Sequence, residues 1–215
     1  MDMYEKLEIL AEAAKYDASC SSSGSGRSSS EGRIGAATPS GCCHSFTADG
    51  RCVSLLKILM SNSCVYDCKY CISRRSNDFP RATFTPREIA ELTVEFYRRN
   101  YIEGLFLSSA VVGTPDWTME HMIEALRILR EEYGFAGYIH AKAIPGADPV
   151  LTHRLGLLAD RVSVNIELPS EKSLVSLAPD KTKHNILEPM GLIKTGIEEN
   201  CEDLVKYRHT PKFVP

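Results

Sequence analysis

Three cysteines, Cys64, Cys68 and Cys71, stand in a C-x3-C-x2-C array in a 215-residue chain that holds eight. Eight cysteines scattered at random would give that spacing on the order of 0.01 times in such a length. Thiolates this close in one loop can wrap a metal centre without help from distant residues, and their softness favours Zn²⁺ or an iron–sulfur cluster. The two options differ in ligand count. A structural zinc needs four ligands, the fourth open to Cys42, Cys43, His44 or Cys52, whereas three cysteines on a [4Fe-4S] cube leave one iron free to bind a substrate. Cys20, Cys42, Cys43 and Cys52 form a second group that could hold another cluster or a redox pair, although the Ser-rich flank is a poor scaffold for a rigid site. Cys201 stands alone and reads as a packed thiol.

The chain is 43% hydrophobic and 25% charged, with a formal net charge of -3. That suits a globular protein of one domain, or one with a small appendage, and excludes nucleic-acid binding by bulk basic charge. No apolar run approaches the roughly 18 residues a membrane helix needs, since even residues 53–60 are interrupted by Lys57. The N-terminus is acidic and lacks the basic-then-apolar order of a signal peptide. The expectation is a cytoplasmic protein with no membrane partner, where structural disulfides are disfavoured and eight thiols call for metal or redox chemistry.

The elements that must position the array divide at residue 52. Residues 1–52 comprise an amphipathic helix over 3–15 and a Ser/Gly-rich, cysteine-containing segment whose polar stretch, 20–32, reads as a flexible linker. Residues 53–215 alternate strands and helices. Strands are expected at 53–60, 105–109, 138–143 and 162–168. Between them Thr85-Pro86-Arg87-Glu88 forms a capping box ahead of Ile89, Leu92 and Phe96. Met119, Met122, Ile123, Leu126 and Leu129 trace the next helix, ending at Gly134, and Asp148-Pro149 opens a third. Such alternation with short connections is the signature of βαβ units around a parallel sheet, where chemistry gathers at the carboxyl ends of the strands. The cysteine loop follows the first strand directly.

Other candidates fall at the same end. Alternation on the fourth strand puts Asn165 and Glu167 on one face, where an apolar surround would demand ligand partners for them. His140 and Lys142 share a face of the third strand, Lys142 reading by default as a surface lysine. Arg74, Arg75, Arg81 and Arg87 form the only local basic excess, either a solvated face or a site for an anionic substrate. Trp117 and Phe79 read as core, with base stacking the sharper alternative.

On the array, its place after a strand and the downstream alternation, residues 53–215 resemble the radical S-adenosylmethionine (SAM) superfamily. The resemblance implies an α/β fold, a partial (βα)6 TIM-type barrel of the radical SAM type, here incomplete at the C-terminus because four strands are found with the start of a fifth at Phe213-Val214. It implies Cys64, Cys68 and Cys71 as ligands of a [4Fe-4S] cluster whose open iron chelates SAM. One-electron reduction would then split SAM to methionine and a 5′-deoxyadenosyl radical. By the same resemblance the backbone of Tyr70 meets adenine, Ser108 and Ser109 receive the SAM amino group, Asn165 and Glu167 hold the ribose and Lys142 meets the carboxylate. More narrowly, residues 6–20, 41–46, the cysteine loop and 207–213 resemble a bacterial radical SAM group associated with DNA modification or repair. Its implied partners are a reductant such as flavodoxin or ferredoxin, a uracil-DNA-glycosylase-like protein and nucleic acid. The competing expectation is a non-catalytic zinc or iron–sulfur binding module.

Overall fold

The computed structural model of the chain describes residues 1–14, 42–46 and 52–206. One sheet runs in the order β1 (Cys42–Phe46), β2 (Cys52–Leu59), β3 (Gly104–Ser108), β4 (Tyr138–Lys142) and β5 (Arg161–Ser163). Strands β2 to β5 are parallel, and each lies beside its neighbour in sequence. The crossovers are α2 (Pro86–Arg98), α3 (Pro115–Arg127) continued by a π-helical stretch (Ile128–Glu132), and α4 (Pro149–Leu158). Sequential parallel order without a reversal is barrel winding, since a doubly wound sheet would switch direction at some strand. Helix α1 (Met3–Ala14) precedes the sheet, and α5 (Glu171–Leu177) and α6 (Lys183–Lys206) follow it.

The two faces of the sheet differ in chemistry. Leu56, Ile58, Leu105, Leu107, Ile139 and Ala141 point outward into one apolar core with Ile89, Met119, Met122, Leu126 and Leu155 of the helices. The alternate residues point inward, and there Lys57, Phe106 and His140 stand in register. The His140 ring meets Phe106 edge-on at 4.5 Å, while the Lys57 and Lys142 ammonium groups lie 5.6 and 5.9 Å from the Phe106 centroid. Lys57, which breaks the apolar run of β2, is only 2% exposed and belongs to this inner face. At Gly104 a methyl group would stand 2.1 Å from the Tyr138 carbonyl oxygen, so β3 can start there only on glycine.

Two expectations about strands need correction. The sheet begins before residue 53: β1 pairs antiparallel with β2, from Cys42 opposite Leu56 to Phe46 opposite Cys52. Cys42 and Cys52 therefore sit at opposite ends of the hairpin ladder, about 14 Å apart along the strands. The fourth parallel strand is also shorter than 162–168. It ends at Ser163, and the following backbone leaves the extended region, with Glu167 at φ 64°. Cys20, the linker at 20–32 and Phe213-Val214 lie outside the described residues.

Helix signals hold locally. Thr85 accepts from the Glu88 amide, the Glu88 carboxylate accepts from the Thr85 amide, and Pro86 occupies the first turn. Asp148 caps α4 through the Val150 amide, and Gly134, at φ 60°, follows the end of the π-helical stretch. Glu88 also takes Lys6 at 2.8 Å, which ties α1 to α2. Burial opposes the Glu88 charge, but the bonds from Lys6 and Thr85 outweigh it and hold its pKa below the ordinary carboxylate value. Glu88→Ala should cost about 1–2 kcal/mol through the lost cap and ion pair, read as a lower urea midpoint at unchanged slope. Because the folded-state pKa is depressed, this contribution is complete above the unfolded value of 4.5 and disappears as pH falls through the folded one.

Candidate functional site

The cysteine array lies in a loop that leaves the carboxyl end of β2 and returns before α2. Its ends are closed by the Phe84 amide on the Met60 carbonyl at 2.8 Å and by the Ser61 and Thr83 hydroxyls at 2.7 Å. Asn62, fully buried, accepts from the Ala82 amide and donates to the Pro80 carbonyl, both at 2.8 Å. Arg81 spreads its guanidinium over four carbonyls, those of Asn62 (2.5 Å), Ser73 (2.9 Å), Arg74 (2.7 Å) and Asn77 (2.7 Å). Within this frame the Cys71 amide turns back to the Cys68 carbonyl at 2.9 Å, and the Val65 amide bonds to the Val111 carbonyl beyond β3.

Cys68 is buried in a small cluster with Leu174, Ala178 and Ile186, and Cys64 and Cys71 are half-buried. Burial pushes the Cys68 and Cys71 thiols above the ordinary thiol value, which holds both as neutral S–H in the metal-free protein.

A cavity of about 750 Å³ opens between this loop and the carboxyl ends of β2 to β5. The structure brings to its wall the nine residues that the resemblance assigns to cluster and SAM: Cys64, Cys68, Cys71, Tyr70, Ser108, Ser109, Lys142, Asn165 and Glu167. The Ser108 hydroxyl, at an inward position of β3, is buried with no hydrogen-bond partner among the described residues. Ser109 instead donates to the Ala110 carbonyl at 2.7 Å. Asn165 and Glu167 reach the wall from the irregular segment after β5 and not from a strand face.

Lys142 corrects the reading of a surface lysine. It is 6% exposed and donates to Asn165 Oδ1 at 2.5 Å, because its strand position is inward. The arginines do not form one basic patch either. Arg81 is occupied by the loop, Arg74 and Arg75 donate to the Cys71 and Val65 carbonyls, and Arg87 pairs with Glu132 on the helical side. Trp117 is 38% exposed and stacks on His121 at 3.7 Å, so it is not core, and neither it nor Phe79 lines the cavity.

Lys181, which no local motif marks, completes the wall. Its ammonium bonds Glu167 at 2.7 Å, and the Tyr70 hydroxyl donates to the other carboxylate oxygen at 2.7 Å. Burial works against the Lys181 charge, but Glu167 outweighs it and raises the pKa. Burial, then the bond to Glu167, likewise push the Tyr70 hydroxyl far above its usual value.

No protein-family model matches the chain, and none of the curated proteins is similar to it. Solved structures do share its fold. HydG, a maturase of the [FeFe]-hydrogenase, superposes with a TM-score of 0.53 at 17% identity over 64% of this chain and 32% of its own. Methylornithine synthase (PylB) gives 0.54 at 18% identity over 65% and 40%. The FeFe-hydrogenase maturase HydG from Carboxydothermus hydrogenoformans gives 0.53 at 20% identity over 65% and 32%. The chain thus spans about a third to two-fifths of the length of these neighbours. The likeness is one of fold, an α/β chain whose parallel strands wind as part of a barrel. No helix among the described residues is long and apolar enough to cross a membrane.

Proposed function

We propose that the chain is the cluster- and SAM-binding part of a radical SAM enzyme, with Cys64, Cys68 and Cys71 as the ligands of a [4Fe-4S] cluster. One observation carries this reading: a three-cysteine loop after the first parallel strand converges with Ser108, Ser109, Lys142, Asn165 and Glu167 on one cavity. The residues present fit the group. The donors are three soft thiols, and the buried Ser108 hydroxyl lacks a partner that a ligand amine would supply. Among the described residues no three His, Cys, Asp or Glu side chains stand close enough to hold a single ion. The C-x3-C-x2-C spacing and its place directly after the first parallel strand favour the cluster, since a zinc site would need a fourth ligand that no described residue supplies beside the array.

When bound, the cluster would supply the electron that cleaves SAM reductively. The chain's own residues bind and orient. The Tyr70 backbone would meet adenine, Ser108 and Ser109 would receive the amino group, and Lys142, steadied by Asn165, would meet the carboxylate. Asn165 and Glu167 take the ribose, since each Glu167 oxygen keeps a second lone pair for a hydroxyl donor. After anaerobic reconstitution, dithionite and SAM should yield 5′-deoxyadenosine and about four irons per chain; one zinc and no nucleoside product would decide for the metal module.

The finer reading is action on DNA or a nucleotide, with flavodoxin or ferredoxin as reductant and a uracil-DNA-glycosylase-like partner. It rests on the resemblance of residues 6–20, 41–46, the cysteine loop and 207–213, without help from the arginines. Product analysis on damaged DNA, nucleotides and small metabolites tests it, and turnover confined to the metabolites would sink it.

Ser108→Ala offers a test with two opposite signs. Removing a buried unpartnered hydroxyl should leave stability unchanged or raise it by about 1 kcal/mol. SAM affinity should fall about 5- to 10-fold for the lost hydrogen bond, measured by titration of the reconstituted protein.

A further inference from the structure

Tyr70, Glu167 and Lys181 come from three separate segments: the cysteine loop, the irregular stretch after β5 and the turn between α5 and α6. They meet through one carboxylate. Tyr70 donates to Glu167 Oε2 and Lys181 to Oε1, both at 2.7 Å, with the Lys181 and Glu167 side chains 15% and 10% exposed. Glu167 holds this place in a left-handed backbone conformation that is unfavourable for a residue with a side chain. The same turn and the end of α5 grip the loop at two further points. The Asp67 amide donates to Asp180 Oδ2 at 2.9 Å, and the Lys69 amide to the Leu177 carbonyl at 2.7 Å. Cys68, between these anchors, packs on Leu174 and Ala178. One side of the loop is therefore fixed by Arg81 and Asn62, and the side that carries Cys68 and Tyr70 is fixed by residues more than ninety positions away.

We infer that Lys181 and Glu167 are positioning residues, a clasp that acts through Tyr70 to set the stretch between Cys68 and Cys71 for the cluster and SAM. Its functional meaning rests on the cluster reading above, while the clasp itself rests on the contacts just given. The direction of control follows from where the bonds land. Tyr70 is one residue from Cys71 and two from Cys68, so holding its hydroxyl limits the excursions of both sulfurs and of the intervening peptide. An isolated buried ion pair would add little net stability, because desolvation offsets the attraction. A clasp that orders a ligand loop earns its effect in geometry, as outer-shell partners of metal ligands do.

The test uses the full chain as Lys181→Met, Lys181→Arg and Tyr70→Phe. In the metal-free protein, hydrogen exchange at the Lys69 and Cys71 amides should quicken about 10-fold or more in Lys181→Met, with β2 to β4 unchanged. After reconstitution this variant should still carry iron, but the SAM-induced change in the electron paramagnetic resonance spectrum of the reduced cluster should need about 10-fold more SAM or more. Lys181→Arg should restore both, and Tyr70→Phe should move both in the same direction. Exchange and SAM titration at parent values in Lys181→Met would overturn the clasp. If Lys181→Met does not fold, Tyr70→Phe decides by the same two measurements. A parent chain that assembles no four-iron cluster would overturn the functional reading instead, and the exchange result would still decide the clasp.

Discussion

Cys71→Ala, and equally Cys64→Ala or Cys68→Ala, should assemble no stable four-iron cluster and form 5′-deoxyadenosine at least about 1,000-fold more slowly than the parent chain, a loss of about 4 kcal/mol or more in transition-state stabilisation. The size of the effect follows from the ligand count. On the proposed assignment three thiolates would hold three corners of a cube, and with two the cluster would be anchored along one edge only. The described side chains offer no substitute, since no further cysteine lines the cavity wall. Ser at any of the three positions should rescue little, because a hard alkoxide is a poor match for iron held among sulfides.

Cys201→Ala, in α6 and outside the three-cysteine array, should keep parent iron content and serves as the control. Loss of folding is separable from loss of ligand. Cys68 alone of the three is buried in an apolar cluster, so its replacement should cost about 1 kcal/mol of stability, whereas Cys64 and Cys71 should cost less. Iron analysis, absorbance and product assay on the three single variants check the set. Parent iron content in any one of them would remove that cysteine from the ligand set.

Much of this site was legible because its signals are local. The spacing of the three cysteines, the Thr85–Glu88 capping box, the aspartate and proline ahead of α4 and the apolar runs of β3 and β4 report the chain's immediate neighbourhood, and the structure repeats them. Once strands and helices alternate, the residues at strand ends must converge, which is why Ser108, Lys142 and Asn165 share one cavity with the array. What escaped depends on partners far away in sequence. β1 carries no period-2 alternation of apolar residues and exists only because β2 has a free edge to pair with. The extended run after Ser163 lasts only as long as β4 supplies hydrogen bonds, so alternation overstates β5. Lys142 reads as exposed by residue type, and only the inward phase of β4 buries it. Arg81 counts as one charge among four in the sequence and as the centre of the loop in the fold, and Lys181 has no motif at all.

Arg81→Ala should destabilise the chain by about 3 kcal/mol and leave the loop unable to retain a full complement of iron, although Arg81 is not a ligand. Its four acceptors decide the point. Asn62 precedes the first cysteine, and Ser73, Arg74 and Asn77 follow the last, so a single guanidinium joins the two legs of the loop across the array. Each is a charge-assisted bond to a backbone carbonyl, and deletion leaves several carbonyls on the partly buried side of the loop to find water. Arg81→Lys should recover little of the loss. An ammonium offers three donors from one point, and it cannot serve four carbonyls arranged around a planar fork. Urea unfolding should show the lowered midpoint in both variants. Hydrogen exchange should show faster opening of residues 62–77 with β3 and β4 protected as before, and iron per chain should fall in step with that opening. Full iron content in Arg81→Ala would mean that the cysteines and the α5–α6 side hold the loop without the guanidinium, and the weight of positioning would then pass wholly to Lys181 and Glu167.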